Sequence, residues 1–164
     1  MKIEKLFPVQ KSLIPIIQNK NKNQSIYPND LCILAPTGSG KTLTYVLPII
    51  EQLKNRIRPC CRAIVLLPVS DLAEQVYSVF KSQLNESSEN LDLIAQQNGD
   101  QNENSFSNLN VLLLSNKHQF AKEQAQLVNE QGKCLIDILV TTPGRLVDHL
   151  QKTKGNIKIS LKKS

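Results

Sequence analysis

Apolar positions along this chain follow two rhythms. Short unbroken runs at residues 31–34, 63–67, 111–114 and 136–140 are rich in Leu, Ile and Val. Runs of that length and composition predict strands buried on both faces. Between them the spacing lengthens to that of helices. Leu43, Val46, Leu47, Ile50 and Leu53 predict a helix from Lys41, and Leu72, Ala73, Val76, Val79 and Phe80 predict another, capped by Ser70 or Asp71. A third runs from about Gln119 through Ala121, Ala125 and Val128, and Leu146, Val147 and Leu150 begin a fourth after a Pro-Gly turn. Ahead of these, Pro8 opens a helix with Leu13, Ile14, Ile16 and Ile17 on its apolar face. Pro15 and Pro48 are predicted to bend the helices that contain them.

Strands alternating with helices predict an α/β fold: a parallel sheet with helices on both faces. Right-handed crossovers then bring every strand-to-helix loop to one edge of the sheet. Polar stretches mark the divisions. Residues 1–29 hold the first helix and an Asn/Lys-rich loop, residues 30–151 the α/β domain, and residues 152–164 a Lys-rich tail in which 156–161 has the character of a short strand or helix start. Residues 85–108 are an Asn/Gln/Ser/Glu-rich insertion, interrupted at 91–95 by a run with strand character and expected to be a loop from 96 onward.

At 164 residues and 40% apolar composition, the chain is long enough for one domain with a real core. It has no run of about 18 apolar residues, and Met1-Lys2-Ile3-Glu4-Lys5 is not a signal-peptide core, so no membrane partner and an intracellular location are expected. Cys32, Cys60, Cys61 and Cys134 lack Cys-x-x-Cys spacing, which predicts incidental or buried thiols rather than a disulfide framework or metal centre. The net charge of +6 is compatible with a nucleic-acid partner, but much of the excess is tail lysine, and charge alone does not decide.

The chemistry is concentrated in Ala35-Pro36-Thr37-Gly38-Ser39-Gly40-Lys41-Thr42, placed between a predicted strand and a predicted helix. This is the context of a phosphate-binding P-loop, with Ala35 where the first Gly usually stands. Gly38 and Gly40 let the backbone wrap closely around phosphate oxygens. The N–H groups of residues 38–42 point into the mouth of a helix, where orphan donors and the dipole favour anions. Lys41 would reach the β- and γ-phosphates and Thr42 would hold Mg²⁺, making Thr37, Gly38, Ser39, Gly40, Lys41 and Thr42 the nucleotide-binding set.

Three further segments give this loop a family context. Pro68-Val69-Ser70-Asp71-Leu72-Ala73-Glu74-Gln75 is similar to a P-T-R-E-L-A-x-Q motif, Thr142-Pro143-Gly144-Arg145 matches a T-P-G-R motif, and Pro8-Val9-Gln10 precedes both. In this order, each of the first two after a strand, they resemble a DEAD-box ATP-dependent RNA helicase over about residues 6–151. The resemblance implies the first of two RecA-like domains, with ATP and Mg²⁺ as cofactors and RNA as partner. It implies that Gln10 reads the adenine edge, a bidentate task suited to a side-chain amide. It implies RNA-backbone contact by Pro68, Ser70, Thr142, Pro143, Gly144 and Arg145, with Arg145 forking onto a phosphate. Val69, Ser70 and Asp71 depart from the family's Thr, Arg and Glu, which weakens the contact expected there, although Ser70 keeps a hydroxyl. Leu6-Phe7-Pro8-Val9-Gln10 and Ala121-Lys122-Glu123-Gln124 resemble the sub-group that assembles large ribosomal subunits, which implies ribosomal precursor RNA and a nuclear or nucleolar location.

The D-E-A-D and S-A-T motifs do not occur in this sequence, nor does a second RecA-like domain. The expectation is an incomplete P-loop NTPase domain, a helicase fragment inactive by itself. The alternative is a short non-catalytic module that binds nucleotide or RNA. Another class of P-loop NTPase is disfavoured by Gln10 and by residues 142–145.

Overall fold

The computed structural model describes residues 6–19, 30–54, 56–58, 60–98 and 109–153. They form two compact units, one built from residues up to Gln52 and the other from Leu53 onward.

The first unit holds two helices, α1 (Pro8–Asn19) and α2 (Lys41–Leu53, whose last residue belongs to the second unit). Each runs through an internal proline, Pro15 and Pro48 respectively. On α2 the residues expected at helical spacing are buried at Val46, Ile50 and Leu53. The strand expected at residues 31–34 does not form. A strand exists only against the backbone of a neighbour, and no described residue pairs with this run. Leu34 is fully exposed and Leu31 is 42% exposed, so apolar composition here does not translate into sheet.

The second unit is built on a three-stranded parallel sheet, β1 (Ala63–Leu66), β2 (Val111–Leu114) and β3 (Ile138–Thr141), in the order β1-β3-β2. Ile138 pairs with Ala63 on one side and Val111 on the other, and Thr141 with Leu66 and Leu114. The central strand β3 is buried throughout, whereas Leu66 of β1 is 52% exposed. Alternation along the strands sorts the core into two faces. Leu112, Leu114 and Leu139 cluster with Leu127 of α4 (Phe120–Leu127), and Leu146 of α5 (Pro143–Lys152) packs against them. The alternate positions, among them Val111, Leu113, Ile138 and Val140, lie on the opposite face. The third helix of the chain, α3 (Ser70–Asn98), packs against β2 and β3 and buries Ala73, Val76, Phe80 and Leu84 at helical spacing.

Helix α3 also corrects the expected strand at 91–95, which is helical. No Gly or Pro occurs between Ser70 and Asn98, and Gly99 follows at once. A stretch without a breaker, with Leu, Glu and Gln among its residues, continues a helix already nucleated by its packed first turns. The loop expected from residue 96 is therefore helical as far as Asn98, and its remainder to 108 and the tail segment 156–161 lie outside the described residues.

Cys61 is buried in the core cluster; burial, with Cys134, Cys60 and Asp137 adding in the same direction, pushes its thiol up to about 12. It therefore packs as a neutral apolar group. Asp137, fully buried just before β3, closes the N-terminal end of the sheet. It pairs with Arg56, has the Arg62 guanidinium 3.7 Å away, and accepts from the Asn110 N–H at 2.9 Å. Removing one member of a buried pair strands the other charge. Asp137→Ala should lower stability by about 3–5 kcal/mol in urea denaturation. A loss under about 1 kcal/mol would show that water already solvates the pair.

Candidate nucleotide and nucleic-acid site

In the first unit, residues 37–39 turn and α2 begins at Lys41. Gly38 and Gly40 both hold the left-handed conformation, at φ 76° and 85°. Lys41 Nζ donates to the carbonyls of Ala35 (2.6 Å) and Pro36 (2.5 Å), so the ammonium closes the loop on itself. Gln10, only 1% exposed, is clamped onto the same loop. Its Oε1 accepts from the Phe7 N–H (2.8 Å) and its Nε2 donates to the Gly40 carbonyl (3.1 Å). A Cβ on Gly40 would lie 2.4 Å from Gln10 Nε2 and 3.0 Å from Phe7, whereas one on Gly38 would meet nothing within 4 Å. The Ser39 hydroxyl is buried without a hydrogen-bond partner. Thr42, half-buried on the first turn of α2, is a hydrogen-bond partner of Tyr45. Burial raises the Tyr45 phenol above its ordinary value and that hydrogen bond opposes the rise. An orphaned hydroxyl, left-handed glycines and open space at Gly38 suit an incoming oxyanion.

In the second unit, the parallel strands deliver the loops after β1, β2 and β3 to one edge. Pro68 is exposed and Ser70 starts α3. Asp71 beside it is drawn to Lys117, whose Nζ lies 2.9 Å from Asp71 Oδ1 and 3.0 Å from Glu74 Oε1. Asp71 first and Glu74 second hold the Lys117 ammonium above its usual range. Thr142 is extended (φ −94°, ψ 154°), makes no side-chain cap bond, and precedes Pro143 at the start of α5. Pro143 and Gly144 are exposed, and a Cβ on Gly144 would meet nothing within 4 Å. The Arg145 side chain, 11% exposed, turns inward and meets Glu123 Oε2 through two nitrogens, at 2.9 and 2.8 Å.

Comparison with known proteins gives the family. A family model described as DEAD/DEAH box helicase matches residues 7–163. The chain belongs to the DEAD/DEAH box helicase family. It is 45% identical over 166 residues to a probable ATP-dependent RNA helicase, Dbp73D, of Drosophila melanogaster, covering 99% of this chain and 21% of the relative. It is 36% identical over 162 residues to the ATP-dependent RNA helicase DDX51 of Homo sapiens, covering 93% and 21% respectively. The crystal structure of the yeast DEAD-box splicing factor Prp28 matches with a TM-score of 0.65 at 27% identity, over 88% of this chain and 28% of that one. The yeast Dbp5 structure bound to RNA and ADP BeF3 matches in fold, with a TM-score of 0.58 at 18% identity over 92% of this chain and 29% of that one. The chain thus spans about a fifth of the length of the curated relatives it matches. Membership of this helicase family implies use of ATP, and no helix among the described residues is long and apolar enough to cross a membrane.

The residues singled out from the sequence are gathered in two sets. Gln10 meets the P-loop at Gly40, and residues 142–145 meet the loop after β2. Glu123 and His149, which organise the second set, were not anticipated. The signal for His149 was the spacing of Arg145, His149 and Thr153, a polar row at every fourth position along α5 and its C-cap; Glu123 carried no such signal. Gly38 and Gly40 separate two causes of glycine dependence. Gly38→Ala should cost about 1 kcal/mol from its positive φ alone. Gly40→Ala should cost clearly more, because Gln10 must also leave. Equal losses in thermal or urea denaturation would show that the Gln10 contact contributes nothing.

Proposed function

We infer that this chain supplies the ATP-binding and part of the RNA-binding surface of an ATP-dependent RNA helicase. The observation that carries the reading is the clamp between Gln10 and Gly40. Each end of the Gln10 amide makes one bond and retains capacity for another, a second N–H on Nε2 and a second lone pair on Oε1. Those two remaining positions are the ones that would read a donor and an acceptor on the adenine edge. Base recognition and phosphate binding are then joined through one side chain.

Thr37, Gly38, Ser39, Gly40, Lys41 and Thr42 would hold the phosphates. Lys41 exchanges the carbonyls of Ala35 and Pro36 for phosphate oxygens, and the Ser39 hydroxyl gains a partner. Thr42 would exchange its bond to Tyr45 for Mg²⁺, which, when bound, neutralises charge on the phosphates. The RNA backbone would lie along Pro68, Ser70, Thr142, Pro143 and Gly144, in the turn that Arg145 closes, where exposed backbone at Gly144 permits close approach. The likeness of residues 6–10 and 121–124 to ribosome-assembly helicases extends the proposal to ribosomal precursor RNA and a nucleolar location; crosslinking in cells tests this extension.

Lys41→Ala should weaken binding of a fluorescent ATP analogue about 10- to 100-fold, as expected for losing a charge-assisted contact. Gln10→Ala should instead erase discrimination between ATP and GTP. Unchanged ATP affinity in the first variant, or unchanged discrimination in the second, would refute the respective role.

A further inference from the structure

The surroundings of Glu123 assign a role that the motifs do not. We propose that Glu123 is a positioning residue for the RNA-binding edge, and that Arg145 acts as a strut beneath that edge rather than as a fork on a phosphate. The inference rests on the RNA-binding reading above.

Glu123 lies on α4 with only 2% of its side chain exposed, yet its carboxylate is fully engaged. Oε1 accepts from the Ser115 N–H at 2.8 Å, which fixes the chain where β2 ends. Oε2 accepts from Arg145 and, at 2.8 Å, from His149 Nε2, both on α5. A second Arg145 bond, from its terminal nitrogen to the His118 carbonyl at 3.1 Å, ties the loop after β2 to the first turn of α5. Phe120 completes the packing. Its ring centroid lies 4.1 Å from that of His149, and the Arg145 guanidinium carbon lies 5.1 Å above it. His149 is itself fully buried, with Nδ1 3.1 Å from the Thr153 hydroxyl.

Two competing positions for Arg145 can be weighed from these contacts. Swinging it outward would gain a phosphate contact at a solvated edge, where such contacts are screened. It would also leave a buried carboxylate without its arginine and cancel the bond to His118, and stranding one member of a buried pair is the larger effect. The guanidinium therefore stays inward. Thr142, Pro143 and Gly144, held from below, present their backbone to the RNA.

A salt titration separates a strut from a phosphate fork. Each phosphate contact adds roughly 0.7 to the slope of log affinity against log salt on single-stranded RNA. Binding of a fluorescein-labelled uridine 20-mer would be measured by anisotropy at several KCl concentrations for the unsubstituted protein, Glu123→Gln, Arg145→Gln and the double variant. The expected result is a loss of about tenfold or more in each single variant, no further loss in the double, and an unchanged slope throughout. A slope reduced by one contact in Arg145→Gln alone, or wild-type affinity in Glu123→Gln, overturns the inference while leaving the RNA-binding reading intact. No binding by the unsubstituted protein overturns both. Should Glu123→Gln fail to fold, the slope of Arg145→Gln decides alone.

Discussion

The second unit depends on a carboxylate taken out of water. Glu123 is buried where three segments converge: the end of β2, the helix α4 on which it sits, and the opening turns of α5. A buried carboxylate tolerates no vacancy among its donors, because the desolvation of the charge is offset only by a full set of hydrogen bonds. The Ser115 N–H, the Arg145 guanidinium and the His149 ring form that set, and each belongs to a segment that the carboxylate thereby fixes. The same device recurs at the other end of β3, where buried Asp137 gathers Arg56, Arg62 and the Asn110 N–H. A short sheet of four-residue strands thus has an ionic anchor at each end, with its apolar cluster between them. The exposed pair of Lys152 and Asp148 lies on α5 too, but in solvent, where it holds nothing in place.

The first unit uses a different constraint. Close backbone approach at Gly40 admits the Gln10 amide and the Phe7 ring, so a residue near the start of the described chain is registered against the glycine loop 30 residues later. Lys41 meanwhile satisfies its donors on the loop's own carbonyls. The loop is thus internally bonded, and in the proposed role nucleotide binding would exchange hydrogen bonds rather than add them.

Much of this was legible in the sequence. The runs at 63–67, 111–114 and 136–140 contain β1, β2 and β3, because each is short and apolar and finds a neighbouring run to pair with. The turn at residues 37–39 ahead of α2 and the left-handed Gly38 and Gly40 were legible because glycine spacing reflects local backbone chemistry. The run at 31–34 was misleading. Its composition is strand-like, but strand formation depends on a partner that composition does not specify. The stretch at 91–95 misled for the opposite reason, since the helix begun at Ser70 had no residue to stop it. Glu123 was illegible because a lone glutamate on an amphipathic helix reads as solvent-facing. Its burial follows only from the distant Arg145 and His149, 22 and 26 positions along the chain.

If one carboxylate holds the edge, its loss should be felt at backbone amides far apart in sequence and close in space. Hydrogen–deuterium exchange on Glu123→Gln tests this without any ligand. Faster exchange is expected at Ser115 and through the first turn of α5, with protection in β1 and along α3 unchanged. Unaltered exchange at Ser115 and in residues 142–149 would contradict it, and would show that apolar packing alone sets the edge.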